Sequence, residues 1–190
     1  MISNQSQTIW RGFHWAFFLN VQGLIICLRR FEAQLALDNI QQAQIELQTA
    51  TELLLASGAS MELAGSFSRQ EYEKIVRRSM APPEVQSANF SGLMSWEHAT
   101  LMQVWKRLRS TFENLPPALQ RQHQEFVEAY FSLTKAHRAV CAKFGGNESG
   151  SLRFESSCAV ETLDRFKESR QALIDPRQSV SRGCPFSSKS

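Results

Sequence analysis

Apolar residues along this chain recur at three- and four-residue spacing, and strict two-residue alternation is nearly absent, so the pattern predicts an all-α protein. A first long helix is expected over residues 10–37, with Trp10, Phe17, Val21, Leu24, Leu28, Phe31 and Leu35 along one side. Most of its other positions are apolar too, apart from Arg11, Asn20, Gln22 and Arg29, which predicts a helix central to the fold. After a break at Asp38-Asn39, a second helix carries Ile40, Ala43, Leu47, Ala50 and Leu54 and is expected to end in Ser57-Gly58-Ala59-Ser60. Ser68-Arg-Gln-Glu71 has capping-box spacing and predicts a short third helix that stops before Pro82-Pro83. Residues 80–94 then form the longest irregular connection, a length at which loops are often functional.

Ser95 can cap a fourth helix bearing Leu101, Trp105, Leu108 and Phe112, and Pro116-Pro117 suits the first turn of a fifth that runs to Phe144. Gly145-Gly146 should end it, and a last helix is expected over residues 157–173, before Asp175-Pro176. The expectation is a single-domain bundle of about six helices over residues 1–175, followed by a disordered Ser- and Arg-rich tail at 176–190.

A chain of 190 residues that is 43% hydrophobic can bury one real core. Its 21 basic and 18 acidic residues are scattered, with no basic stripe to neutralise a phosphate backbone, which argues against a nucleic-acid partner. The four cysteines (Cys27, Cys141, Cys158 and Cys184) lack CxxC spacing, so neither a zinc site nor a disulfide framework is expected. The most apolar run, residues 15–28, contains Asn20 and Gln22 and falls short of the ~20 residues a spanning helix needs. No membrane association and a cytoplasmic location are the expectation.

All four histidines fall on apolar helical faces. His14 lies in the stripe of Trp10, Phe17, Phe18 and Val21, and His98 in that of Leu101, Trp105 and Phe112. His123 and His137 share the face of Phe126, Tyr130, Leu133 and Cys141. Taken singly, each reads as a core imidazole satisfied by one or two hydrogen bonds. Four from three helices open a second reading, a shared interior site for a metal or a cofactor. A carboxylate-bridged di-iron centre would need Glu-x-x-His pairs, and Glu125 and Glu128 project away from the histidine stripe. Haem asks for only one axial imidazole in an apolar pocket, and His137 could supply it.

The segment Ser132-Leu133-Thr-Lys-Ala-His137-Arg-Ala-Val140-Cys-Ala-Lys143-Phe144, followed by Gly-Gly, is similar to the haem-ligating helix of the indoleamine branch in the tryptophan and indoleamine 2,3-dioxygenase superfamily. That superfamily also includes a helical enzyme of the pyrrolnitrin pathway. His14-Trp-Ala16-Phe17-Phe-Leu19 resembles the tryptophan-branch helix with a distal His, and Tyr72-Glu-Lys-Ile-Val-Arg77 resembles the distal helix whose Arg pairs with the substrate carboxylate. Ser87-Ala-Asn-Phe90-Ser91-Gly92-Leu93-Met94 is similar to the family's small-residue loop. The order of the four segments, over about residues 10–173, carries the resemblance.

It implies an indoleamine 2,3-dioxygenase-like bundle holding haem b through the iron ligand His137, with Ser91 and His98 near the haem edge. It also implies O2 and a small indole- or tryptophan-like substrate in the pocket. Phe17, Phe18 and Tyr72 would line the substrate, Arg77 would clamp its anionic group, and His14 would act on bound oxygen or a substrate nitrogen. Three departures matter: the chain is much shorter than the dioxygenases, Met94 stands where the tryptophan branch has Gln, and Arg78 beside Arg77 allows a slip of one. A homo-oligomer could supply the missing cover. Beside the oxygenase reading stand a haem- or metabolite-binding protein without turnover and a cofactor-free interaction protein.

Overall fold

The computed structural model describes residues 5–80, 82–84, 95–148 and 158–177; among them the chain is helical and contains no strand. The first helix, α1 (Gln5–Ala36), turns at Leu37 and Asp38 into α2 (Ile40–Ala64). Asp38 takes a positive φ of 56°, a conformation Asp tolerates better than most residues. Asn39 then caps α2 by accepting from the Gln42 N–H, while its amide donates to Gln34 across the turn. The tight turn forces the two helices antiparallel, and Gly23 lets the Leu53 methyls come within 3.1 Å of where a Cβ would stand.

The second helix does not end at Ser57-Gly58-Ala59-Ser60 but continues to Ala64. The hydroxyls of Ser57 and Ser60 bond back to the Leu53 and Ala56 carbonyls, and Gly58 is buried against the backbone of Leu133. The small residues that read as a stop are a helix-packing face.

The capping box forms as expected. Ser68 and Glu71 bond each other's backbone at the start of α3 (Arg69–Glu71), which passes through a π-helical turn, Tyr72–Val76, into α4 (Arg77–Ser79). Ser6 of α1 adds a 2.7 Å bond to Glu71, and these hydroxyl bonds hold the Glu71 carboxyl down at about 2. Ser95 caps α5 (Trp96–Glu113), and a 3-10 turn, Pro117–Leu119, leads into α6 (Gln120–Lys143). Cys158 caps α7 (Ala159–Ile174). Of the tail expected at 176–190, residues 178–190 lie outside the described residues.

Helix α2 packs on α6, α1 also packs on α5, and α7 lies across α5 and α6. Their shared core includes Leu28 and Phe31, Leu47 and Leu54, Leu108 and Phe112, Phe126 and Tyr130, and Ile174. The all-round apolar character of α1 does not make it central, because Trp15, Leu19 and Ile26 are 66%, 60% and 50% exposed on its outer side. A separate small cluster joins Phe67, Val76 and Phe144 to Trp10 and Tyr72. Among the described residues no helix is long and apolar enough to cross a membrane.

Candidate functional site

His137 and Cys141 sit one turn apart near the C-terminus of α6, and the end of that helix is firmly built. Lys143 donates to the Gly65 carbonyl at 2.6 Å, closing the end of α2 as well. Gly145 takes a φ of 82°, and the Gly146 N–H returns to the Cys141 carbonyl at 2.7 Å. A Cβ on Gly146 would meet that carbonyl oxygen at 2.6 Å, so the turn requires glycine twice.

The imidazole of His137 is half-buried, and among the described residues neither ring nitrogen makes a hydrogen bond. Burial, then the nearby Arg170 guanidinium and His14, push its pKa down to about 4. At neutral pH it therefore carries an unprotonated nitrogen with an uncommitted lone pair. The Cys141 thiol is pushed up to about 11 by burial, which keeps it protonated.

Three helices bring other polar groups to this neighbourhood. His14 of α1 lies 4.0 Å from the Trp10 ring and 6.4 Å from Phe18, and its buried Nδ1 lacks a hydrogen bond. Burial lowers its pKa, opposed by the Trp10 carbonyl. Arg170 of α7 donates through Nη2 to His98 Nε2 of α5, which places the proton of a neutral His98 on Nδ1. Tyr130 stands edge-on to Trp105 at 5.4 Å; its hydroxyl has no partner of ordinary geometry, and burial pushes it up to about 12 against the pull of Arg170.

The fourth histidine is elsewhere. His123 lies fourteen residues before His137 on the same helix, roughly 20 Å away at 1.5 Å per residue. Its Nε2 meets the Ile174 carbonyl at 2.6 Å and its ring stacks on Phe112 at 4.8 Å, so it is a satisfied core imidazole. His123 thus stands apart from the shared interior site that the four histidines suggested, whereas Arg170 meets His98 and lies near His137, which in turn lies near His14. Among the described residues no three His, Cys, Asp or Glu side chains are placed to hold a metal ion by themselves.

Of the expected substrate residues, Phe18 is beside His14, whereas Phe17 packs on the main core. Tyr72 is stacked flat on Phe144 at 4.3 Å, in the small cluster with Trp10. Arg77 is exposed on α4, and Ser91 lies outside the described residues, as does the rest of the 87–94 segment. Arg170 had no motif to mark it. Its signal was position alone, since it falls on the apolar stripe of Leu163, Phe166 and Ile174.

The depressed imidazoles make the cofactor-free fold acid-sensitive. His137 binds its proton more readily unfolded, near 6.5, than folded, near 4, so its contribution is complete above pH 6.5 and lost as pH falls toward 4. The loss expected from His137 is about 3 kcal/mol, and His14 and His123 act with the same sign. Urea unfolding at pH 7.5, 5.5 and 4 should show this decline, and stability that rises on acidification would contradict the burial of these rings.

The family model described as SfmD 3-methyl-L-tyrosine peroxygenase matches residues 2–122 of the chain. A 3-methyl-L-tyrosine peroxygenase of Streptomyces lavendulae is 23% identical over 179 residues, covering 93% of this chain and 49% of the relative. The chain therefore spans about half of that relative's length. No solved structure matches it.

Proposed function

The chain belongs to the SfmD 3-methyl-L-tyrosine peroxygenase family, and on that premise we propose that it is a haem-dependent oxygenase acting on a tyrosine-like aromatic amino acid. The observation that carries this reading is His137: half-buried, neutral, and without a hydrogen bond among the described residues. A neutral imidazole with no protein hydrogen bond keeps a lone pair available, which suits a ligand that the protein chain does not supply. The donor set fits haem better than a bare ion, because a macrocycle needs one axial nitrogen whereas the other imidazoles do not converge with His137 on one point. The likeness of residues 132–146 to the haem helix of the tryptophan and indoleamine dioxygenases supports the same role for His137.

When bound, haem supplies activation of the oxidant, peroxide in a peroxygenase reaction that puts one oxygen on the aromatic ring and the other into water. The chain's own residues hold and enclose. His137 would hold the iron through its unprotonated nitrogen, and the small cluster of Trp10, Tyr72 and Phe144 would cover the neighbouring end of α1 and α6 against water. His14 keeps an unpartnered Nδ1 that can take or return a proton, and Phe18 beside it offers an aromatic wall. Tyr130, protonated throughout the working pH range, is a permanent hydroxyl donor.

The test is turnover. Haem-loaded protein given hydrogen peroxide and 3-methyl-L-tyrosine or L-tyrosine should form a product heavier by one oxygen. His14→Ala should keep the haem spectrum and lower turnover by roughly 10²–10⁴-fold, the usual size of a lost proton-transfer group. Haem uptake and amino-acid binding with no oxygenated product would leave a binding module in place of an enzyme.

A further inference from the structure

Helix α7 places a cation where no described residue supplies an anion. Arg170 is half-buried on the apolar stripe of its helix, and its guanidinium lies over the Phe166 ring at 4.9 Å. Nη2 is engaged with His98 and the Tyr130 hydroxyl lies close to the guanidinium, which does not exhaust the five N–H donors of an arginine. The acidic side chains nearest in sequence are committed elsewhere or exposed: Asp164 accepts from Arg138 at 3.0 Å, and Glu161 and Glu168 are exposed. What surrounds the guanidinium is neutral, comprising the imidazoles of His98 and His137, the Tyr130 phenol and an aromatic ring. A charge withdrawn from water with no counter-charge is costly to the fold, and arginine cannot shed its proton to escape that cost.

We infer that Arg170 is the anion anchor of the site, presenting its remaining donors to a carboxylate. Arg rather than Lys suits this, since the planar fork can meet both oxygens of a carboxylate at once. Its bond to His98 fixes the fork's direction before the ligand arrives, so binding pays less to order the side chain. Two carboxylates could take the position: that of an amino-acid substrate or a haem propionate. The role expected for Arg77 thereby moves to a residue of α7, since Arg77 is exposed on α4 while Arg170 adjoins His98, His137 and Tyr130.

This inference rests on the reading of the site as a haem and amino-acid pocket, but its test does not require turnover. Arg170→Gln and Arg170→Lys would be compared with the unaltered protein in calorimetric binding of 3-methyl-L-tyrosine and of its carboxamide, and in spectral titration with haem and with haem dimethyl ester. Arg170→Gln should weaken one carboxylate ligand by about tenfold to a hundredfold while its neutral analogue binds as before. Selective loss for the amino acid assigns the carboxylate to substrate, and selective loss for haem assigns it to a propionate. Arg170→Lys, which keeps the charge without the fork, should fall between and serves if the glutamine variant does not fold. Amino-acid binding that depends on Arg170 in a protein that takes up no haem would sustain the anchor and overturn the haem reading. Equal losses for acid and neutral analogues, no loss for either, or no binding of either carboxylate by the unaltered protein would overturn the anchor.

Discussion

Phe112→Ala should cost the fold about 3–5 kcal/mol, the largest loss expected from any single truncation outside the site. The ring is fully buried where three helices meet: it stacks on Phe31 of α1 at 6.1 Å and contacts Phe126 of α6 at 5.9 Å. Removing it leaves a cavity that the rigid rings around it cannot close. It also uncovers His123, whose bond to the Ile174 carbonyl ties down the end of α7. The damage should therefore reach the helix that carries Arg170. Urea unfolding at pH 7.5 measures the loss, with Trp15→Ala as the contrast. Trp15 is 66% exposed, so its truncation should stay within about 0.5 kcal/mol. A Phe112→Ala protein of unchanged stability would mean that the three helices do not meet at this ring.

What could be read from the sequence was what is decided locally. The capping box at Ser68 and Glu71, the Ser95 cap, the proline entry to α6 and the glycine exit at Gly145-Gly146 each depend on neighbours within four residues, and each forms. The end of α2 is not legible locally, because Gly58 packs on a partner 75 positions away, the Leu133 backbone, which no local pattern shows. The exposure of Trp15, Leu19 and Ile26 was missed for the same reason, since an apolar residue does not record whether a neighbouring helix covers it.

The site divides along the same line. His137 and Cys141 were legible as a pair one turn apart, and the stripe they share predicted their burial. Periodicity could not separate His123 from His137, because both occupy that stripe and only the contact with the end of α7 distinguishes them. Arg170 escaped because a lone arginine on an amphipathic helix resembles any other surface charge until α5 and α6 close around it.

The second large effect concerns the cofactor. His137→Ala should abolish stoichiometric haem binding, because His123 is bonded to Ile174, His98 Nε2 to Arg170, and His14 is packed against the Trp10 ring. The substitution should leave the fold intact or stabilise it in acid, since it removes a ring that folding keeps from its proton. Loss of haem with an unchanged helical circular dichroism spectrum is thus the expected pair of results.

The decisive measurement is the visible absorption spectrum of the purified protein titrated with haem, alongside His137→Ala. A sharp Soret band that saturates at one haem per chain, absent in the variant, is the predicted result. No such band in the unaltered protein, or an identical band in both, would contradict the assignment of His137 and with it the oxygenase reading.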